Sequence, residues 1–227
     1  MSVEPVPMRW LAEVERYSTP TIANAIETFD VRPRSEGFLD ATVRHVAGGP
    51  GPWTAYAATA RMRSAERYGD AVPLVALLRH IAELPEPRVV VVEDLDERPV
   101  GALWGEVMAN IHRAHGCVGA VTNGGVRDID EVGSLGFRFY ASSVLVSHAN
   151  AHLVEVGVPV RVGGMVVEPG ALLHGDSHGV VEVPRAIAGE VAAAAHAVET
   201  TEREIIGHVR QGRLDVERFG DFLAAYE

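Results

Sequence analysis

An arginine and an aspartate stand side by side at positions 127 and 128, after an apolar run (residues 118–122) and an Asn-Gly-Gly turn (residues 123–125). A guanidinium fork binds a carboxylate, and an aspartate oxygen is a hard ligand for a divalent cation. Two glycines after a strand let the backbone turn sharply and approach a ligand closely. The helical spacing that follows predicts a helix whose free N–H groups suit an anion. The same pair could instead cap that helix and bind its neighbours, so both interpretations remain open.

Glu106 precedes Arg127 by 21 positions and follows Gly105 at the start of another helical pattern. Both residues are therefore predicted at helix N-termini, on the kind of edge where α/β folds collect ligand sites. The backbone N–H groups of Val107 and Met108 could add anion contacts there. The alternative is that Glu106 is only a first-turn acid that complements the helix dipole.

The histidines offer a zinc hypothesis with less support. His148 and His152 have i,i+4 spacing, but no HExxH signature is present and no third ligand is identifiable. We therefore interpret the histidines as ordinary polar or surface residues, including two predicted to flank a turn at residues 175–177. Besides the i,i+4 pair, this interpretation applies to His112, His115, His174 and His178.

Other site types have little support. The acids Glu93, Asp94 and Asp96 could bind a cation, although such a cluster is more typical of a solvated strand end. The glycine pairs at 48–49 and 163–164 do not form GxGxxG after a strand, which leaves a dinucleotide site unsupported. Ser177 stands in a GxSxG match (residues 175–179), but the match falls within a predicted pair of strands and not between a strand and a helix, so a nucleophile elbow is unsupported.

The sequence contains no lysine, because all 20 basic residues are arginines. Schiff-base chemistry on a carbonyl group requires a lysine amine, as does a Walker-type phosphate loop. Both classes are excluded. Any bond cleavage next to a carbonyl would need a metal ion to polarise that group.

Composition favours one α/β domain over residues 1–227, with a helical extension from about residue 184. The net charge of −11 argues against a general nucleic-acid or anionic-membrane binder. No apolar run approaches the roughly 20 residues that span a bilayer, and the N-terminus lacks a secretory signal. Cys117 is the only cysteine and is expected to be a buried small side chain. These features predict a cytoplasmic protein.

The apolar periodicity predicts elements that would position these residues. The expected helices cover two pieces within residues 10–29 (capped at residues 18–20), a stretch from Gly69-Asp70 to residue 84, and residues 107–116, 184–210 and 216–226. The expected strands cover residues 55–62, 88–92 and 118–122, a strand–turn–strand at 159–167 and a pair at 172–183 hinged at 175–176. Residues 30–52 are expected to form a loop.

Several segments in fixed order resemble the RraA-like family, from about residue 19 to residue 184. They are STPTIANAIE, GDAVPLVALL, VVVVEDLDE, WGEVMAN, GAVTNGGVRDIDEV and HGDSHGVVEVP. That family includes metal-dependent 4-hydroxy-4-methyl-2-oxoglutarate aldolases, oxaloacetate decarboxylases and inhibitors of ribonuclease E. The resemblance implies an αββα sandwich of the swivelling β/β/α type that assembles as a homotrimer or hexamer, with active sites between subunits.

The resemblance to the aldolase branch also implies residue roles. Arg127 would bind the substrate carboxylate, and Asp128 would hold Mg²⁺ or Mn²⁺. Glu106 would position a water for proton transfer, and the segment from Gly105 to Met108 would bind the pyruvoyl carboxylate through backbone amides. Glu199 and Glu202 are candidates for a metal contact supplied by a neighbouring subunit.

The sequence departs from the family pattern at two positions. Pro87-Arg88 replaces the usual Pro-Gly-Asp before the buried strand, and Glu93 stands in place of the usual strand-end aspartate. The first hypothesis is a lyase that cleaves a short 2-oxo acid through a pyruvate enolate. The second is a non-catalytic regulator that binds a protein such as a ribonuclease. A third is a related enzyme that acts on another hydroxy-oxo acid.

Overall fold

The computed structural model describes residues 3–66, 71–210 and 215–224. The strands are β1 (Arg44–Ala47), β2 (Trp53–Arg63), β3 (Arg88–Asp94), β4 (Ala102–Trp104), β5 (Cys117–Thr122), β6 (Gly125–Val126), β7 (Arg138–Ala141), β8 (Ser143–Val144), β9 (His152–Val156), β10 (Val160–Val162), β11 (Met165–Val167), β12 (Leu172–Asp176) and β13 (Gly179–Glu182). The helices are α1 (Met8–Val14), α2 (Thr19–Glu27), α3 (Leu74–Ala82), α4 (Glu106–Ala114), α5 (Ile129–Ser134), α6 (Val191–Arg210) and α7 (Val216–Ala224).

Four parallel strands form the middle of the main sheet, in the order β7-β5-β3-β2. The β-branched run of β3 is buried on both faces, as expected for a central parallel strand. The long strand β2 pairs antiparallel with β12 along its first half and with β9 along its second half. β1 pairs antiparallel with β7, and β13 pairs antiparallel with β12.

The two faces of the sheet bury different cores, because successive strand residues point to opposite faces. Val90 and Val92 pack with Leu77 and Ile81 of α3, on the face that α4 and α5 also cover. Val89 and Val91 pack with the β10–β11 hairpin. A third core joins α1, α2 and α6. The expected mixed α/β fold with a second β layer is therefore confirmed.

A small second sheet extends the first. Each of β3, β5 and β7 is followed in sequence by a short strand, and these strands pair in parallel in the order β4-β6-β8. Parallel strands place their carboxyl ends at one edge, so the residues after β4, β6 and β8 lie close together. This edge carries the candidate site.

Most predicted elements are present, with altered boundaries. Ser18 caps α2 by accepting a hydrogen bond from the Thr21 N–H, with proline in the first turn. The predicted loop at 30–52 contains β1, whose His45 ring contacts Tyr140. The helix expected from Gly69-Asp70 begins at Leu74, and both of those residues lie outside the described residues.

Two further boundaries differ from the sequence predictions. Gly175 and Asp176 belong to β12, and the turn lies at Ser177 and His178 instead. The C-terminal helix expected from residue 184 begins only at Val191.

Candidate active site

Backbone pairing of the small sheet brings Gly105, Glu106, Arg127 and Asp128 together. Trp104, the last residue of β4, pairs with Val126 of β6, and its carbonyl accepts a hydrogen bond from the Arg127 N–H at 3.0 Å. The chain then enters α4 at Glu106, as predicted, while Arg127 begins the turn toward α5. Two segments far apart in sequence are thus brought into direct contact.

The Asp128 carboxylate bridges the two segments. Its Oδ2 accepts a hydrogen bond from the backbone N–H of Glu106 at 2.9 Å and lies 3.8 Å from Nε of Arg127. The side chains of Arg127 and Asp128 are each 37% exposed, so both can contact a molecule that binds at the surface. Glu106 itself is exposed.

Gly105 permits this contact by the absence of a side chain. A Cβ atom at this position would lie 2.3 Å from Oδ2 of Asp128 and 3.1 Å from Nε of Arg127. Gly105 also supplies no side-chain cap to α4. The N–H groups of Val107 and Met108 therefore lack intrahelical acceptors and can bind an anion.

The surroundings of Arg127 differ from the sequence prediction in two respects. The second glycine begins a two-residue strand, β6, that leads directly to Arg127, and α5 begins at Ile129 with only six residues. Asp128 precedes that helix in a left-handed conformation (φ 57°, ψ 43°) and makes no side-chain cap bond to it. Arg127 therefore lies one residue before the N-cap of α5, and its N–H bonds to the Trp104 carbonyl of β4.

The glycines at 124 and 125 serve packing inside the protein. Neither has a positive φ. A Cβ on Gly124 would lie 3.0 Å from Oδ2 of Asp94, and one on Gly125 would lie 2.3 Å from Leu145. Both glycines therefore permit the close approach of two neighbouring segments of the chain.

The acids after β3 do not form one cation site. Oε2 of Glu93 accepts hydrogen bonds from Arg61 and from the Arg161 N–H, both at 3.1 Å. Asp96 accepts three hydrogen bonds from Ser64 and Ala65. Asp94, the trio's most buried member, keeps one buried carboxylate oxygen without a hydrogen-bond partner among the described residues. The interpretation of these acids as a solvated strand end was therefore wrong.

Asp94 is a site neighbour that the sequence analysis did not single out by itself. It is 3% exposed, and burial raises its pKa from 3.8 to about 6, with the nearby Asp96 adding to the shift. The Asp96 N–H and Arg63 oppose that shift. Its position directly under Gly124 places an ionisable group below the segment that carries Arg127.

The histidines lie apart from these residues. His148 precedes β9 in a turn and His152 begins β9, so they do not share a helix. His112 is buried in α4 and pairs with the carbonyl of Met108, and His174 is buried in β12 against Thr54. No cluster of three metal-ligating side chains occurs in the described residues.

Glu199 and Glu202 lie on α6 and have partners in the same chain. Glu199 pairs with Arg203 at 2.7 Å, and Glu202 accepts a hydrogen bond from Asn24 of α2 at 3.3 Å. Neither contacts Asp128 within one chain. A role at the metal would thus require a second copy of the chain.

Comparison with known proteins agrees with this architecture. The family model described as "RraA-like: Aldolase/RraA" matches residues 19–182. The chain belongs to the RraA-like family. The resemblance found in the sequence motifs is thereby confirmed.

Relatives of this RraA-like chain carry several names. A protein of Ectopseudomonas mendocina, provisionally named 4-hydroxy-4-methyl-2-oxoglutarate aldolase, is 29% identical over 49% of this chain and 70% of its own length. An Arabidopsis thaliana protein with the same provisional name is 37% identical over 35% of this chain and 49% of its own length. The uncharacterized protein MJ0644 of Methanocaldococcus jannaschii is 29% identical over 49% of this chain and 54% of that protein. The match therefore spans about half the length of that relative.

Solved structures share the fold of this RraA-like chain. An uncharacterized protein from Pseudomonas syringae has a TM-score of 0.73 at 27% identity, with 94% of each chain covered. Streptomyces coelicolor RraAS2, described as an unusual member of the RNase ES inhibitor RraA family, has a TM-score of 0.72 at 24% identity, covering 88% of this chain and 96% of its own. Within the described residues, no helix has the length and apolar character that a membrane span requires.

Proposed function

We propose that this chain is a divalent-metal-dependent lyase that cleaves a C–C bond in a short 2-oxo acid. The reaction would be retro-aldol cleavage of the 4-hydroxy-4-methyl-2-oxoglutarate type, decarboxylation of oxaloacetate, or both, since each leaves a pyruvate enolate. The observation that carries the proposal is the contact of the Asp128 carboxylate with the Glu106 amide beside Arg127. The provisional aldolase names of two relatives support the same reaction class.

In this proposal the protein residues bind the substrate and move a proton. The Arg127 guanidinium pairs with the substrate carboxylate through charge-assisted hydrogen bonds. The free N–H groups of Val107 and Met108, at the start of α4, contact the same anionic end. Glu106 orients a water molecule that delivers a proton to the enolate carbon of pyruvate after the C–C bond is cleaved.

The donor set fits a loosely held Mg²⁺ or Mn²⁺ ion. Mg²⁺ keeps several waters and is commonly bound through one or two carboxylates together with the substrate, so Asp128 is a sufficient protein anchor. Bound there, such an ion would stabilise the negative charge that develops on the 2-oxo oxygen. Zinc of the structural type does not fit, because it requires four protein ligands, and the described residues provide no such cluster.

We further propose that the working site is completed in a homotrimer or hexamer. The Arg127 and Asp128 side chains are 37% exposed in one chain, whereas catalysis by fixed charges benefits from exclusion of water. A second copy seated over this edge would supply that cover. It could also present Glu199 or Glu202 to the outer contacts of the metal.

The test measures pyruvate release from oxaloacetate with and without EDTA, corrected for decarboxylation by Mg²⁺ alone. Asp128→Asn keeps the side-chain shape and tolerates the left-handed backbone but removes the charge. We expect Asp128→Asn and Arg127→Ala each to lower kcat/KM at least about 100-fold, in line with the loss of a charge-stabilising group. Asp130→Asn and Arg44→Ala, the same substitutions at exposed positions outside the site, should leave activity within about twofold.

Full activity in EDTA, or in the Asp128→Asn variant, would show that this mechanism is wrong. Absence of turnover with oxaloacetate and with 4-hydroxy-4-methyl-2-oxoglutarate would remove the proposed substrates.

A further inference from the structure

The side chain of Asn123 joins the ends of β5 and β3 by two hydrogen bonds to a single residue. Its Oδ1 accepts from the backbone N–H of Asp94 at 2.7 Å, and its Nδ2 donates to the backbone carbonyl of Asp94 at 2.9 Å. Regular pairing of β3 with β5 ends one step earlier, at Val92 and Thr122. The amide of Asn123 therefore substitutes for the next backbone amide of the ladder.

The segment that follows is fixed at each residue up to the site. The N–H of Gly124 donates to Oγ1 of Thr122 at 2.9 Å, and its carbonyl accepts from the N–H and hydroxyl of Ser142 at 3.2 and 3.0 Å. Gly125 packs closely on Leu145, and β6 is paired on both sides. Because residues 124–126 are held by these contacts, a displacement of Asn123 would be transmitted to Arg127.

From this geometry we propose that Asn123 is a positioning residue for the proposed lyase. It clamps the β5–β6 connection to β3, which holds Arg127 and Asp128 in register with Gly105 and Glu106. The inference rests on the proposed function and assigns a role to the asparagine of the Asn-Gly-Gly turn. Asn123 touches neither substrate nor metal in this scheme and acts through Arg127 and Asp128.

An amide is chemically required at position 123. Asparagine supplies one acceptor and two donor hydrogens, whereas an ionised aspartate only accepts. In Asn123→Asp the bond from the Asp94 N–H would persist, but a carboxylate oxygen would face the Asp94 carbonyl. Repulsion between this carboxylate oxygen and the Asp94 carbonyl would shift the connection between β5 and β6. Misplacement of reacting groups by about 1 Å can lower a rate roughly 100-fold.

The test compares Asn123→Asp with Asn150→Asp. Nδ2 of Asn150 also donates to a backbone carbonyl, that of Ala65, at 3.1 Å, so the control loses the same kind of bond away from Arg127. We measure kcat, KM, the thermal midpoint and amide hydrogen exchange over residues 124–128. Asn123→Asp should lower kcat/KM between about 10- and 100-fold and accelerate exchange in that segment. Asn150→Asp should lower the thermal midpoint similarly and leave kcat/KM within twofold.

Equal kcat/KM values for the two variants, at matched folded fractions, would overturn the proposal. So would unchanged exchange over residues 124–128. Should Asn123→Asp not fold, Asn123→Ala removes both side-chain bonds without adding a charge and is held to the same outcomes. If the parent protein turns over no 2-oxo acid, the proposed function fails, whereas the exchange measurement still decides whether Asn123 fixes this segment.

Discussion

Burial of one carboxyl group, that of Asp94, has an energetic consequence at the scale of a single residue. Its pKa is raised to about 6 from 3.8, so the folded protein binds this proton more tightly than the unfolded chain does. Ionising Asp94 therefore costs stability progressively as pH rises from about 4 to 6. The shift of roughly two pKa units corresponds to about 3 kcal/mol at neutral pH.

We therefore predict that Asp94→Asn stabilises the protein at pH 8 by about 1–3 kcal/mol and gives roughly a third of that gain near pH 4.5. At the lower pH the acid is mostly protonated when folded, so only its ionisation in the unfolded chain still disfavours folding, and the neutral amide gains less. The amide oxygen can still accept the bond from the Asp96 N–H. Urea denaturation at both pH values measures the free energy of unfolding, with Asp130→Asn as the exposed control. A stabilisation equal at pH 4.5 and pH 8 would contradict the origin in ionisation.

At the scale of elements, the start of α4 depends on the missing side chain of Gly105. Alanine is compatible with its extended backbone (φ −146°, ψ −161°), so the cost of Gly105→Ala would come from the clash with Asp128. We predict a loss in kcat/KM of about 10- to 100-fold, because either Asp128 or the first turn of α4 must move. Steady-state kinetics with oxaloacetate measures this loss.

Gly207→Ala is the matched control for Gly105→Ala. Gly207 lies within α6, and a Cβ there would meet open space. Alanine should stabilise that helix by up to about 1 kcal/mol and leave kcat/KM unchanged. An active Gly105→Ala enzyme would show that the contact between Asp128 and the Glu106 N–H is dispensable.

The sequence predicted the elements that carry enough residues to show a period. The β-branched run of β3 and the apolar spacing of α4 are both long enough, and both were identified. The two-residue strands β6 and β8 were not, because two residues define no alternation and only their backbone partners make them strands. The left-handed conformation of Asp128 was also missed.

The candidate residues were predictable as types, while their contacts were not. Arg127, Asp128 and Glu106 were selected for their chemistry, and the fold brings them to one sheet edge. The requirement for Gly105, the clamp by Asn123 and the burial of Asp94 depend on atoms from segments far apart in sequence. A single sequence contains these residues without indicating which of them touch.

At the scale of the whole molecule, stability should fall as the solution becomes acidic. Burial lowers the pKa of His112 and of His174 to about 4, although the hydrogen bond to Met108 favours the charged form of the first and the nearby Asp176 favours that of the second. Between pH 6.5 and 4 the unfolded chain binds protons that the fold excludes. Each buried histidine therefore lowers the free energy of unfolding by about 3 kcal/mol as the pH falls from 6.5 to 4.

Protonation of Asp94 raises the free energy of unfolding by about 3 kcal/mol over a similar pH range. The combined effect of the two histidines is larger than the effect of this one acid. We predict that the free energy of unfolding decreases from pH 6.5 to pH 4.5, and that His174→Asn makes this decrease shallower. Replacing the exposed His196 of α6 with asparagine is the matched control and should leave the slope unchanged. Urea denaturation across this pH range measures the slope. A parent protein that gains stability toward pH 4.5 would mean that carboxyl groups such as Asp94 dominate the balance and that the two buried histidines accept protons within the fold.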